Sequence, residues 1–449
     1  MNTDPLVHDL VAELETVPII DVHTHLVGSR LGARGLHDIL LYHMAVSDLY
    51  AAGCPTGKRL TEYPGWPTRE EAHQRIREAL PYLKYVQNTS TSWGIRTILA
   101  DLYHWREPVT EQNWEKLDDL IRERADDQGW HHQILRRLNI RRVGTEWARR
   151  EQGEGDSVLQ YALEWGFFTR CQWGEYDTAL YELEKCWGKK PGSPSPIGAG
   201  TRPVPERQIN SLVDVHAAVD HYISQFPAQV LATATHLSTD LDLTPVDEAQ
   251  MEAALMHRAQ AGPRERDIYA SYINERYLCA LAKARPEVVF QFSFGAEPLP
   301  HETGSRLDQR SIRQLGELVA RHPGLRFQCL LSSQHTHQAL CTLARELPNL
   351  SLAGYWWHNF FPNIIRKTMA ERLEMLPVNQ QVGFFSDAYC VEWVYGKTLI
   401  VRRCLAQVLA EQLRQGWYSR PSALEIARAL LFETPQHLLG FVPAPALSA

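Results

Sequence analysis

The stretch Val17-Pro18-Ile19-Ile20-Asp21-Val22-His23-Thr24-His25-Leu26 is a short β-branched run that ends in polar residues. A buried parallel strand looks like this where it meets the active-site end of an α/β barrel. Side chains alternate along a strand, so His23 and His25 should share one side, with Asp21 joining them. Two imidazoles roughly 7 Å apart along a strand can converge on one metal ion. A pair of hydrogen-bonded, barrel-lining histidines is the plainer alternative, and a lone His-x-His would favour it. The motif closes the first hydrophobic strand, early in a long chain, and that position favours the metal.

Working outward, the pattern turns helical from Gly35 to about Asp127, predicting a helical segment over 35–130 inserted after the first strand. A second strand is expected at 138–147. The stretch 152–209 contains KKPGSPSPIGAGTRPVPE, rich in Gly, Pro and Ser, and reads as an irregular insertion. Beyond it, strands expected at 229–237, 288–299, 326–334, 350–360 and 381–389 alternate with helical segments. Such alternation implies a parallel sheet, so the expected fold class is α/β, a (β/α)8 TIM-type barrel with extra helices. All 449 residues are read as one barrel domain.

Composition narrows the function. The chain is 44% hydrophobic and 22% charged with a net charge of −7, which argues against nucleic acid or anionic membrane as partner. Small soluble substrates fit better. No apolar run reaches the length of a membrane span and the first residues do not resemble a signal peptide, so a cytoplasmic location is expected. The 8 cysteines are scattered without a Cys-x-x-Cys pair and read as reduced thiols. A homo-oligomer is compatible with the sequence, but nothing in it specifies one.

Asp387, in GFFSDAY, ends the last apolar strand. Alone it would be taken for a helix N-cap. With His23 and His25 it reads as a third ligand or a base. An Asp-x-His-x-His on the first strand with a lone Asp on the last resembles the amidohydrolase superfamily, the barrel of the metal-dependent hydrolase kind. Several stretches are similar to the uronate isomerases within it. LYHMAVSDLYAAG resembles that family's D-H-Y-x-W-R-A-M-R-x-x-G, with His43 and Gly53 in register. LNIRRVGTEW resembles its N-V-x-x-V-x-T-T-D through Thr145 and Glu146, and GYWWHNF its G-W-W-F-N-D through Trp356, Trp357 and Asn359. GFFSDAY resembles G-x-L-T-D-S-R, and Arg402-Arg403 stand at a later arginine pair. The likeness runs from about residue 19 to 440, with 152–209 unmatched.

The departures concern the substrate. Ser293 stands where the family has a strand-five histidine, and Met44 where it has a tyrosine. Ser47, Tyr50, Tyr389 and Pro298 stand where it has arginines, whose planar fork is the usual grip on a carboxylate. Other residues that could line the site are His236, His358, Trp356, Trp357 and Tyr389; Arg149, Arg150 and Lys397 could compensate for the lost arginines, with solvated surface charge the plainer reading of each.

The resemblance implies one divalent cation on His23, His25 and Asp387, zinc by ligand type with manganese or another ion as alternative. It implies aldose–ketose isomerisation of a sugar acid such as D-glucuronate or D-galacturonate, with Asp387 or His43 as base. A hydrolase of a lactone, ester or amide, and a non-catalytic sugar-acid-binding barrel, are the other readings.

Overall fold

The structure, a computed structural model, describes residues 4–26, 31–54, 68–127, 129–146, 158–164, 179–187, 205, 207–237, 242–294, 309–331, 334, 336–355 and 360–440. Its strands are β1 (Ile19–Asp21), β2 (Ile140–Glu146), β3 (Leu159–Glu164), β4 (Val230–Leu237), β5 (Val289–Phe294), β6 (Arg326–Leu331), β7 (Leu350–Ala353) and β8 (Gln381–Val382). They form one sheet in sequence order, each strand parallel to the next. Parallel neighbours need a crossover, and helices supply it: Pro263–Ala284 before β5, Gln309–Arg321 before β6, His337–Glu346 before β7 and Pro362–Met375 before β8.

The two faces of the sheet bury different residues. In β5, Phe290, Phe292 and Phe294 point outward into a cluster with Tyr277 and Leu281 of the helix Pro263–Ala284. The other face carries smaller side chains: Ile20, Ala162, Ala232, Val289, Leu330, Ala353 and Val382, one from every strand except β2, belong to a single cluster.

Two sequence expectations change. The stretch 152–209, read as irregular, contains β3 and the helix Ala179–Cys186. Leu159–Glu164 has no β-branched residue, so its strand character comes from pairing with β2 and β4. The strands also end sooner than their apolar runs: 17–26 contributes only Ile19–Asp21 and 381–389 only Gln381–Val382. Past these points backbone groups bond across to other segments. Asp387 N–H donates to the His23 carbonyl (2.9 Å) and His25 N–H to the Ala388 carbonyl (2.8 Å), which joins the chain beyond β1 to the chain beyond β8.

Between β1 and β2 lie the helices Leu36–Leu40, His43–Ala51, Arg69–Ala79, Ser90–Tyr103, Trp114–Ala125 and Trp130–Arg137. Their anchor is Glu392, fully buried in the first turn of the helix Val391–Arg414. Its carboxylate accepts from Ala33 N–H (2.8 Å), Tyr103 O–H (2.7 Å) and the Trp130 indole N–H (2.9 Å). A buried carboxylate needs such donors, and here they tie the inserted helices to the segment carrying Asp387. Among the described residues no helix is long and apolar enough to cross a membrane.

Candidate metal centre

Three chain segments meet at one point beyond the C-terminal ends of β1 and β8. His23 and His25 follow β1, Asp387 follows β8, and His43 opens the helix His43–Ala51. Thr24, between the two histidines, turns to the opposite side and donates its hydroxyl to the Gly144 carbonyl of β2 (2.7 Å). Alternation thus persists beyond the strand itself and leaves His23 and His25 facing Asp387.

Asp387 has φ +56°, a left-handed conformation that aspartate tolerates better than most residues. Its surroundings over-determine that backbone. Besides the Asp387 N–H bond to His23, the Tyr42 hydroxyl donates to the Asp387 carbonyl (2.7 Å). Lys397 in turn donates to the Tyr42 oxygen (2.6 Å) and to the Ser386 carbonyl. Asp387 is not a helix cap, because Cys390 holds the N-cap position of the following helix.

The buried Asp387 carboxylate is the hub. His25 Nε2 lies 3.1 Å from its Oδ1, His23 Nε2 3.7 Å from the same oxygen, and His43 Nε2 3.7 Å from Oδ2. One ligand atom each from His23, His25 and Asp387 falls within a 4.8 Å group. Two imidazole nitrogens and a carboxylate oxygen, spaced so that one ion at about 2 Å could touch all three, fit a divalent transition metal. Rings brace the ligands: His25 stacks on Tyr389 (4.7 Å, 18°) and His23 meets the edge of Phe385 (6.0 Å).

Burial would raise the Asp387 pKa, but the His25 hydrogen bond and the charges of His25, Lys397 and His43 hold it well below the carboxylate range. Burial pulls His43 down to about 3, with Asp387 opposing. Lys397 falls to about 8 through burial, opposed by Asp387 and Asp21.

One sequence expectation, that for Lys397, needs correction, and Asp21 and Arg402 find their partners elsewhere. The chain leaves the sheet after Asp21, whose Oδ1 accepts from Ser386 N–H (2.9 Å) and His23 N–H (3.4 Å). Burial pushes its carboxyl up to about 7, against those hydrogen bonds. Lys397 is not surface charge but 1% exposed, with its ammonium over the Tyr42 and Phe360 rings at 4.6 and 4.8 Å. Arg402 binds the Leu138 carbonyl, at the opposite end of β2 from the site.

His43 and Tyr389 are brought to the centre. For His236 only the strand backbone is described, paired with Ser293. Arg149, Trp356, Trp357 and His358 lie outside the described residues. Tyr42 and the positioning role of Lys397 were missed. The signal available was a lysine inside the apolar helical run Val391–Cys404.

No protein-family model matches the chain, and no curated protein matches it. Among solved structures it is similar to the glucuronate isomerase of Caulobacter crescentus, with TM-score 0.76 and 15% identity over 99% of this chain and 96% of that one. It is also similar to the uronate isomerase of Thermotoga maritima (TM-score 0.73, 14% identity, 97% and 98% covered). A candidate metal-dependent hydrolase from Lactobacillus casei gives TM-score 0.57 at 14% identity, with 96% and 97% covered. At these identities the likeness speaks for a TIM-barrel-type α/β fold.

Proposed function

We propose that this chain is a metal-dependent isomerase of the uronate isomerase kind, built on a closed (β/α)8 barrel and acting on a small sugar acid such as D-glucuronate or D-galacturonate. The observation that carries it is the convergence of His23, His25 and Asp387 within 4.8 Å, from the segments beyond β1 and β8. The backbone bonds between those two segments support closure. His23, His25 and Asp387 hold one divalent cation, zinc by ligand type and manganese as alternative. When bound, the cation supplies Lewis-acid stabilisation of negative charge on the substrate oxygens.

The remaining chemistry belongs to side chains. Asp387 is engaged as a ligand, so the base is His43, whose Nε2 sits 3.7 Å from Asp387 Oδ2. It takes the proton from C2 of the open-chain aldose and returns it to C1, while the C2 hydroxyl proton passes to the C1 oxygen. The aldehyde becomes an alcohol and the C2 alcohol a ketone, with no net change in atoms or electrons. Tyr389 positions His25 and borders the substrate space.

A second reading, hydrolysis of a lactone, ester or amide, draws on the residues that replace the family's arginines. Ser47 donates to the carbonyl of His43 in its own helix (3.2 Å), Tyr50 is 43% exposed, and Tyr389 lies on His25. None of the three brings a cation to a carboxylate, and a neutral substrate needs none.

Metal analysis of the purified protein beside His23→Ala/His25→Ala, with NMR of each incubated with D-glucuronate and D-galacturonate, tests the proposal. Stoichiometric metal lost in the variant, together with ketose signals from the wild type, is the expected outcome. Metal without ketose selects the hydrolase reading and a screen of lactones and esters. A wild type that binds no metal overturns both.

A further inference from the structure

A second group of metal-ligating side chains lies on different elements from the first. Glu275 and Cys279 are four residues apart in the helix Pro263–Ala284, a spacing that puts them on one face. His322 directly follows the helix Gln309–Arg321. One ligand atom from each of the three lies within 4.8 Å of the others. The backbone presenting the histidine is fixed, since its N–H donates to the Val319 carbonyl (3.2 Å) and its carbonyl accepts from the Asn349 amide (3.1 Å).

An ion-pair network accounts for part of this arrangement. Arg321 grips the Glu275 carboxylate, with Nη2 2.9 Å from Oε2 and Nε 3.3 Å from Oε1. His322 belongs to the same network. Its side chain is 6% exposed, and its Nε2 lies 2.9 Å from Glu275 Oε1, close enough for an ion pair. Two ligands of one cation approach each other in this way, because bonds of about 2.0–2.3 Å to nitrogen, oxygen and sulfur hold the donor atoms roughly 3–4 Å apart. Cys279 is exposed, and its sulfur already lies within 4.8 Å of the other two donor atoms.

We propose that Glu275, Cys279 and His322 form a second metal site, for a thiophilic divalent cation such as Zn²⁺, with solvent as the fourth ligand. Sulfur and imidazole donors select zinc-like ions over Mg²⁺ or Ca²⁺. Arg321 remains outside the coordination sphere, orienting the carboxylate through both of its oxygens as a supporting partner. The thiol releases its proton to solvent as the cation binds, so affinity rises with pH. A cation here bridges the helix Pro263–Ala284 to the end of Gln309–Arg321 and stabilises the fold, at a distance in sequence from His23, His25 and Asp387.

The first centre has no sulfur donor, so a sulfur signature reads the second site alone. Metal-stripped full-length protein is titrated with Co²⁺, wild type beside Cys279→Ser, with circular dichroism confirming that the variant is folded. The wild type should develop an intense near-ultraviolet thiolate-to-cobalt charge-transfer band that saturates, that added Zn²⁺ abolishes, and that Cys279→Ser lacks. His322→Gln should weaken Co²⁺ binding at this band about tenfold or more. Absence of the band in the wild type at saturating Co²⁺, or its persistence in Cys279→Ser, overturns the proposal. Neither outcome depends on the catalytic reading, whose own test is metal and turnover at the His23 centre.

Discussion

Replacing Gly144 by alanine should damage the metal centre without touching a ligand. Gly144 lies in β2, where an added Cβ would sit 2.4 Å from the Val22 carbonyl oxygen, 2.7 Å from its carbon and 3.3 Å from the His23 nitrogen. All three are backbone atoms, so no side-chain rotation relieves the clash. An ordinary contact requires the segment after β1 to move away from β2 by about 1 Å. Two hydrogen bonds cross that gap, Thr24 hydroxyl to Gly144 carbonyl and Thr145 hydroxyl to Leu26 carbonyl, each 2.7 Å. Overpacking of this kind costs about 1–3 kcal/mol. Stretching one of the two bonds adds about 1 kcal/mol. Metal–ligand distances tolerate only about 0.2 Å, so a 1 Å shift at the peptide joining Val22 to His23 should also lower metal affinity. Thermal denaturation and metal analysis at fixed protein concentration read both effects. The melting temperature should fall by roughly 2–4 °C and the metal content should drop. Gly324→Ala is the control, because a Cβ there meets nothing within 4 Å. Wild-type melting and wild-type metal content in Gly144→Ala, or equal losses in both variants, would refute the reasoning.

Lys397→Met removes the donor to the Tyr42 oxygen and the Ser386 carbonyl from a closed interior. It should cost about 3 kcal/mol in urea denaturation, and it should lower metal content because the backbone of Asp387 loses its brace. Glu392→Gln keeps the shape but turns an amide NH₂ toward one of three donors, Ala33 N–H, Tyr103 O–H or Trp130 N–H. A loss of about 2 kcal/mol, read by the same titration, is expected. If His23, His25 and Asp387 bind a cation in the native state only, chelation should lower the melting temperature of the wild type by more than that of His23→Ala/His25→Ala.

Much of this protein was legible because much of it is local. A β-branched run ending in Asp21-Val22-His23-Thr24-His25 carries its own period, and period two orients the two histidines whatever the rest of the chain does. The strand–helix rhythm after residue 229 likewise needs only hydrophobic spacing, which is why β4 to β8 were located although the C-terminal ends of β5 to β8 were not. What depends on a partner far along the chain was not legible. Leu159–Glu164 becomes a strand through the neighbours that pair with it. The carboxylate of Asp21 meets Ser386, 365 residues away. The charge of Lys397 suggests solvent, but its helix packs against Tyr42, 355 residues earlier, and it becomes the buried brace of Asp387. The spacing of Glu275 and Cys279 is visible in one helix, whereas His322 reaches them only through the packing of the next. Sequence by itself determines the direction in which each side chain leaves its own element. Tertiary structure decides which group it meets, because a hydrogen bond or a ligand bond requires its partner within about 3 Å, and only the folded path of the chain sets that distance.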